Sequence, residues 1–159
     1  MANFTPKSVW HNPIHFLAFG FGSGAAPKAP GTFGTLVAVL IYLGLQYFSL
    51  FTYSLIVIFS FIFGVYLCEK TSRDLAVHDH SGIVWDEFVG YWITMWFAPM
   101  GWVWIIVGFV LFRLFDIWKP WPISWCDQKI PGGFGIMFDD VVAGFFALIS
   151  LNLLALLIL

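Results

Sequence analysis

The sequence predicts an all-α polytopic membrane protein with about five hydrophobic helical segments and an N-terminal interfacial helix. Three observations predict it. Of 159 residues, 60% are hydrophobic and only 10% charged, whereas a soluble domain carries about 25% charged residues. Between the charges run uncharged stretches of 40, 25 and 19 residues, and a helical span needs about 20. All seven basic residues fall in three polar segments, which the positive-inside rule can place on one side of the membrane. The chain reads as one membrane-embedded unit over 1–159, with no room for a second domain.

Taken in order, residues 1–12 are a polar lead-in rather than a signal peptide. Asn12-Pro13 marks a helix start, with Asn as cap and Pro at the first helical position. The apolar stretch Ile14 to Phe21 is too short to span and is expected to lie in the interface, with His11 and His15 on one face. The Gly- and Pro-rich segment from Gly20 to Thr35 lacks the Gly-Lys-Ser/Thr of a phosphate-binding P-loop. Thr32 is a candidate cap for the next helix. A glycine-rich loop feeding a helix N-terminus can receive an anion, with Lys28 nearby, or can simply make a tight connection.

From Ala29 to Cys68 there is no charge, which gives a helical hairpin over 33–68 that turns at Gln46 to Tyr53. A polar loop over 69–86 follows. The next uncharged run, Phe88 to Phe112, is interrupted by Pro99-Met100-Gly101, a helix-breaking turn. One crossing here would split the basic residues four and three, whereas a short hairpin over 86–117 keeps all seven together. Its 13-residue first helix would reach only ~20 Å, short of the ~30 Å hydrocarbon core. A loop over 123–134 leads to the final span, 139–159, whose end should lie on the far side. Cys68 and Cys126 read as free thiols.

The chemistry concentrates in two matching stretches, Gly82-Ile83-Val84-Trp85-Asp86-Glu87-Phe88-Val89 and, 53 positions later, Gly135-Ile136-Met137-Phe138-Asp139-Asp140-Val141-Val142. Each pair of acids opens an apolar run. Helix capping is one account of such pairs, and helix starts would hold Asp86 and Asp139 ionised. Ionisable groups at membrane depth are otherwise functional by default, and a cation site is the better account of two pairs built alike. Between them, Arg113, Asp116 and Lys119 are spaced three apart, on one helix face. The hairpin brings Asp79, Asp86, Glu87, Asp116, Asp139 and Asp140 to one side with Arg113, Lys119 and Lys28. Oxygen-only ligands suit Mg²⁺, and Mg²⁺ with nearby cations is equipment for phosphoryl chemistry. The histidines around Asp79 lack partners at zinc spacing. Cys68 to Arg73 misses the Cys-x5-Arg loop by one residue, and no Asp-x-Asp-x-Thr occurs, so a covalent intermediate is not indicated.

Four ordered motifs, Gly22-Ser23-Gly24 with Pro30-Gly31-Thr32, Ile83 to Glu87, Phe115 to Pro120, and Gly135 to Gly144, closely resemble those of the bacterial phosphatidylglycerophosphatase A family. The resemblance runs from about residue 12 to 145. It implies a multi-pass enzyme of the bacterial cytoplasmic (inner) membrane, with its active site facing the cytoplasm. The reaction would be Mg²⁺-dependent hydrolysis of phosphatidylglycerophosphate to phosphatidylglycerol and phosphate. On the residues themselves, Asp86, Glu87, Asp139 and Asp140 would form the metal-binding core with Asp116 as a further ligand. Asp79 would be base or outer support, and Arg113 and Lys119, with Lys28 and Thr32, would take phosphate. Trp118, Trp121 and Trp125 would anchor at headgroup level. Membrane lipids are the expected surroundings, no nucleic acid is expected, and no protein partner is indicated. The rival from another class is an ion-coupled transporter using the acidic pairs as cation sites. Such sites favour midplane helix breaks, and the break at Pro99 to Gly101 has no ionisable neighbour. A structural subunit docking through 69–86 leaves the acidic pairs unexplained.

Overall fold

The structure, a computed structural model, describes residues 5–158. Its helices in chain order are α1 (Pro13–Ala18), α2 (Pro30–Leu45), α3 (Leu50–Leu75), α4 (Trp85–Thr94), α5 (Trp102–Trp118), α6 (Ile123–Lys129) and α7 (Gly132–Ile158), with 3-10 turns at Lys7–Trp10 and Ser23–Ala25. No strand occurs among the described residues, so the class is all-α. Residues 1–4 of the polar lead-in and Leu159 of the last span lie outside the described part.

The number of spans is corrected. Of the five hydrophobic segments expected, only α3 and α7 are long and apolar enough to cross a membrane, among the described residues. These two support membrane association. At about 1.5 Å per residue the 16 residues of α2, 10 of α4 and 17 of α5 reach only ~24, ~15 and ~26 Å, less than the ~30 Å hydrocarbon core.

Several boundaries shift for local reasons. Helix α2 starts at Pro30, because Ala29 adopts a left-handed conformation (φ 48°) as N-cap and Pro30 needs no N–H partner. Thr32 is therefore inside the first turn and not the cap. Helix α3 runs into the expected polar loop as far as Leu75, and residues 76–84 remain non-helical. Its last turns are held by Arg73–Glu69 (2.6 Å) and Lys70–Asp74, both spaced i, i+4. Helix α6 occupies the segment expected as loop. Cys68 and Cys126 are free and buried. Asn12 does cap α1, its Oδ1 accepting the Ile14 N–H at 2.9 Å. The two histidines do not share a face. His15 is buried, with Nδ1 2.9 Å from Ser8 Oγ and Nε2 3.1 Å from Asp74 Oδ2, and His11 is exposed.

The largest shift is at α7, which begins at Gly132 rather than 139. The Gly133 N–H donates to Glu69 Oε2 (2.5 Å) and the Gly132 N–H to His78 Nε2 (3.3 Å), satisfying helix-start donors that would otherwise be orphaned. Asp139 is thus two turns inside the helix, so the expected assistance from a helix start does not apply to it. Asp86, the second residue of α4, does lie in a first turn.

Helix α4 crosses α7 at glycines. A Cβ on Gly144 would lie 2.5 Å from the Gly90 carbonyl oxygen, and one on Gly90 2.9 Å from that of Asp140. Thr94 Oγ1 donates to the Gly90 carbonyl at 3.0 Å. The chain then reverses between Thr94 and Trp102, with left-handed or Gly-only backbone at Phe97 (φ 65°) and Gly101 (φ 132°). Helix α5 returns antiparallel to α4. Tyr91 OH donates to the Ile105 carbonyl (3.2 Å), and Arg113 near the end of α5 reaches Glu87 near the start of α4. The short hairpin over 86–117 is present, but its first helix ends at Thr94 rather than at 98, so the reversal occupies 95–101 and Pro99-Met100-Gly101 forms only its second half.

Gly144→Ala is expected to force α4 and α7 apart and cost about 1–3 kcal/mol, as overpacking does. Gly44, where a Cβ would meet nothing within 4 Å, is the control. Gly44→Ala should be neutral or stabilising by up to ~1 kcal/mol. Denaturant unfolding of the detergent-solubilised chain measures both, and equal effects would contradict the crossing.

Candidate active site

The first turns of α2 and α4, the last turns of α5, the second and third turns of α7 and the loop before α4 converge on one cavity of about 250 Å³. All six carboxylates singled out in the sequence, Asp79, Asp86, Glu87, Asp116, Asp139 and Asp140, line it. Arg113 and Lys119 line it too. Each is delivered by local structure. Asp86 and Glu87 sit one turn before the Gly90 crossing, and Asp140 one turn before Gly144. The carboxylates of Asp86, Glu87 and Asp140 each offer an oxygen within 4.8 Å of the other two.

The site is poor in internal partners. Asp86 Oδ1, Glu87 Oε2, Asp139 Oδ1 and Asp140 Oδ2 are buried without a hydrogen-bond partner. Leaving a buried polar group unpaired costs about 1–3 kcal/mol, and more when it is charged. Two cations cannot neutralise six carboxylates. Arg113 Nη1 pairs with Asp116 and lies 3.6 Å from Glu87 Oε1. Its Nε is buried and unpartnered. Lys119 Nζ bonds Asp139 Oδ2 and Asp127 Oδ1, both at 2.7 Å. Burial works against the Lys119 ammonium, but Asp139 and Asp127 outweigh it and raise its pKa. Asp79 keeps an accessible face at the rim. Enough protein surrounds its carboxyl to raise its pKa by desolvation, with Lys119 opposing the shift.

Four buried, unpaired carboxylate oxygens with no sulfur or imidazole among the cavity walls fit a hard divalent cation. Asp86, Glu87 and Asp140 could hold it, with Asp116 and Asp139 beside them.

Two expected residues stand apart. Lys28 is exposed and does not line the cavity, because the left-handed Ala29 turns the chain after it and only the Ala29-Pro30-Gly31 segment reaches the wall. Thr32 does not line it either, since its place inside the first turn leaves its N–H on the Ala29 carbonyl (3.0 Å). The proposed stripe of Arg113, Asp116 and Lys119 divides. Arg113 and Asp116 pair within α5, whereas Lys119 is a left-handed C-cap (φ 45°) that turns to α7 and α6. The sequence reading missed Asp127 and Ser81. The only signal for Asp127 was a lone acid in a polar stretch, which is no signal without the helix that carries it.

Comparison with known proteins places these observations. The phosphatidylglycerophosphatase A family matches residues 16–155. An Escherichia coli K12 protein named phosphatidylglycerophosphatase A is 52% identical over 134 residues, covering 84% of this chain and 78% of that protein. A Haemophilus influenzae Rd protein of the same name is 51% identical over 145 residues, 87% of this chain and 86% of its own length. A Bacteroides thetaiotaomicron protein, provisionally named a phosphatidylinositol-3-phosphatase, is 40% identical over 139 residues, 82% and 86% of the two chains. No solved structure matches. With a family match over most of its length and relatives at half identity, the chain belongs to the phosphatidylglycerophosphatase A family.

Proposed function

We propose that this protein hydrolyses the phosphate monoester of phosphatidylglycerophosphate to phosphatidylglycerol and phosphate, using Mg²⁺, at the cytoplasmic face of a bacterial inner membrane. The observation that carries the reading is the set of buried, unpaired oxygens on Asp86, Glu87, Asp139 and Asp140 beside Arg113 and Lys119 in one cavity. Oxygen donors without nitrogen or sulfur favour Mg²⁺ over softer metals. The names of the two relatives near half identity supply the headgroup. The grouping of Lys70, Arg73, Arg113 and Lys119 near the cavity end of the helices supports a cytoplasmic orientation.

Each residue has a part in this reading. Asp86, Glu87 and Asp140 hold the cation, with Asp116 and Asp139 available to complete its surroundings. Bound there, Mg²⁺ supplies Lewis acidity toward a phosphoryl oxygen. Arg113 and Lys119 bind the other phosphate oxygens. Arg113 has an unused Nε–H and a planar fork that suits phosphate. Asp79, at the rim and outside the oxygen cluster, takes the proton from the attacking water; desolvation raises its pKa and so makes it a stronger base than a free carboxylate. Water forms the new P–O bond, the ester P–O bond breaks, and the glycerol oxygen leaves as an alcohol after gaining a proton.

The ion-coupled transporter is not favoured. The acids gather at helix ends and in the early turns of α7, and the break between α4 and α5 carries none of them.

Two measurements test the proposal. The purified full chain should release phosphate from phosphatidylglycerophosphate in mixed micelles with Mg²⁺ and stop on chelation. Phosphatidylinositol 3-phosphate is the headgroup control. Asp86→Asn and Asp140→Asn should each lower turnover by at least about 100-fold, the scale of losing a principal electrostatic contributor. Absence of metal-dependent release from every lipid phosphate offered would refute the enzyme reading. The second measurement is thermal unfolding. Mg²⁺ at 100 times its Kd should add about 2.7 kcal/mol to wild-type stability. Asp140→Asn should raise the metal-free midpoint, by removing one charge from a crowded set, and should lose most of the Mg²⁺ shift. A Mg²⁺ shift retained in full by Asp140→Asn would remove Asp140 from the cation site.

A further inference from the structure

Lys119 makes two equal bonds, 2.7 Å to Asp139 Oδ2 inside the cavity and 2.7 Å to Asp127 Oδ1 outside it. Asp127 does not line the cavity and belongs to no motif the function absorbs. We infer that Asp127 is a positioning residue that tethers the Lys119 ammonium at the cavity rim, so that the amine exchanges Asp139 for a substrate phosphate oxygen without leaving the site. This rests on the phosphatase reading given above.

The geometry carries the inference in three steps. Lys119 is held in a left-handed conformation (φ 45°, ψ 56°), which a residue with a Cβ adopts only when its surroundings impose it. That conformation ends α5 and aims the side chain back at α7. Helix α6 then packs on α7 through buried Ile123 and Cys126. Asp127, one turn after Ile123 and next to Cys126, is placed over Asp139 by that packing. Finally, the two carboxylates differ in accessibility. The Asp139 side chain is 7% exposed and Asp127 is 35% exposed. An accessible ion pair contributes little to folding stability. Its consequence is to restrict a long, flexible side chain that otherwise has much rotamer freedom to lose on binding. An ammonium has three donors. Two are occupied here, and moving one from Asp139 to a phosphate oxygen leaves the Asp127 bond intact. Asp139, already carrying the unpaired Oδ1, is then free to turn toward a cation.

The test compares Asp127→Asn, Asp127→Ala and Asp127→Glu in the full chain, in wild-type and Lys119→Ala backgrounds. Turnover of phosphatidylglycerophosphate and inhibition by inorganic phosphate are both measured. In the wild-type background Asp127→Asn and Asp127→Ala should raise KM and the inhibition constant for phosphate together, by about 5- to 20-fold, with kcat within about twofold. Asp127→Glu should recover most of the loss. In the Lys119→Ala background Asp127→Asn should change neither constant, since the tether has nothing to hold. Unchanged constants in the wild-type background, or an equal change in both backgrounds, would overturn the tether. A readout independent of turnover separates this inference from the phosphatase reading. Acetylation of Lys119 by acetic anhydride, followed by mass spectrometry, should be several-fold faster in Asp127→Asn. If wild type releases no phosphate while labelling accelerates, the phosphatase reading fails and the tether stands. Unchanged labelling removes the tether whatever the turnover.

Discussion

The site depends on the contact between Gly90 and Gly144. Two backbones meet there with no side chain between them, and the acids of both motifs are set by it. Asp86 lies one helical turn before Gly90, and Asp140 one turn before Gly144. Helices α4 and α7 begin at the same end of the molecule, so equal offsets from one crossing bring the two acids to the same level. A side chain at Gly144 would meet the Gly90 backbone, which cannot move aside as a flexible side chain can, and one at Gly90 would meet the buried Phe112 ring and then the Asp140 carbonyl oxygen. The 53-residue match between the two stretches does not itself set this pairing: it aligns Gly90 with Ala143, and the crossing levels Asp86 with Asp140 rather than with its sequence counterpart Asp139.

That closeness sets an electrostatic problem, and the rest of the site answers part of it. Arg113 arrives from α5 because the chain reverses after Thr94, and it offsets Glu87 and Asp116. Lys119 offsets Asp139 because its left-handed backbone turns it toward α7. Four buried carboxylate oxygens still have no partner. A chain selected only for stability has no reason to keep such a set, since replacing buried charges with packed apolar groups is often neutral or favourable. Its presence supports the proposed cation site, which would supply the missing positive charge.

Local chemistry was legible in the sequence, and distant pairing was not. The all-helical class, the Asn12 cap, the reversal at Pro99 to Gly101 and the convergence of six carboxylates with Arg113 and Lys119 follow from residue type and spacing. The start of α7 does not. It depends on Glu69 accepting the Gly133 N–H from 64 residues away and on His78 doing the same for Gly132. Nothing near Asp139 announces those partners. The length of α3 was hidden because the charges of Glu69, Lys70, Arg73 and Asp74 look like loop until their i, i+4 pairing is seen. Counting uncharged residues also overestimated the spans. A run free of charge need not be straight, and α2, α4 and α5 end before the hydrocarbon thickness is covered. Lys28 and Thr32 failed for a single reason, the left-handed Ala29, which no propensity rule assigns to alanine.

The short helices and the acidic cavity are two aspects of one arrangement. A helix that spans the bilayer carries its polar ends out to water on both sides. Helix α4, with ten residues, cannot do so. Packed against α7 and backed by α5, it places Asp86 and Glu87 beside the interior of a longer helix, at the level of residues 139 and 140 rather than of its start. The first two turns of α7 then rise past the acids toward Glu69 and His78, and the loop carrying Asp79 folds over the same end. The carboxylates are thereby buried by protein instead of by lipid. Burial of this kind keeps the carboxylate oxygens poorly solvated while the cavity they line stays open to one side, which under the proposed function lets a lipid phosphate enter from the surface.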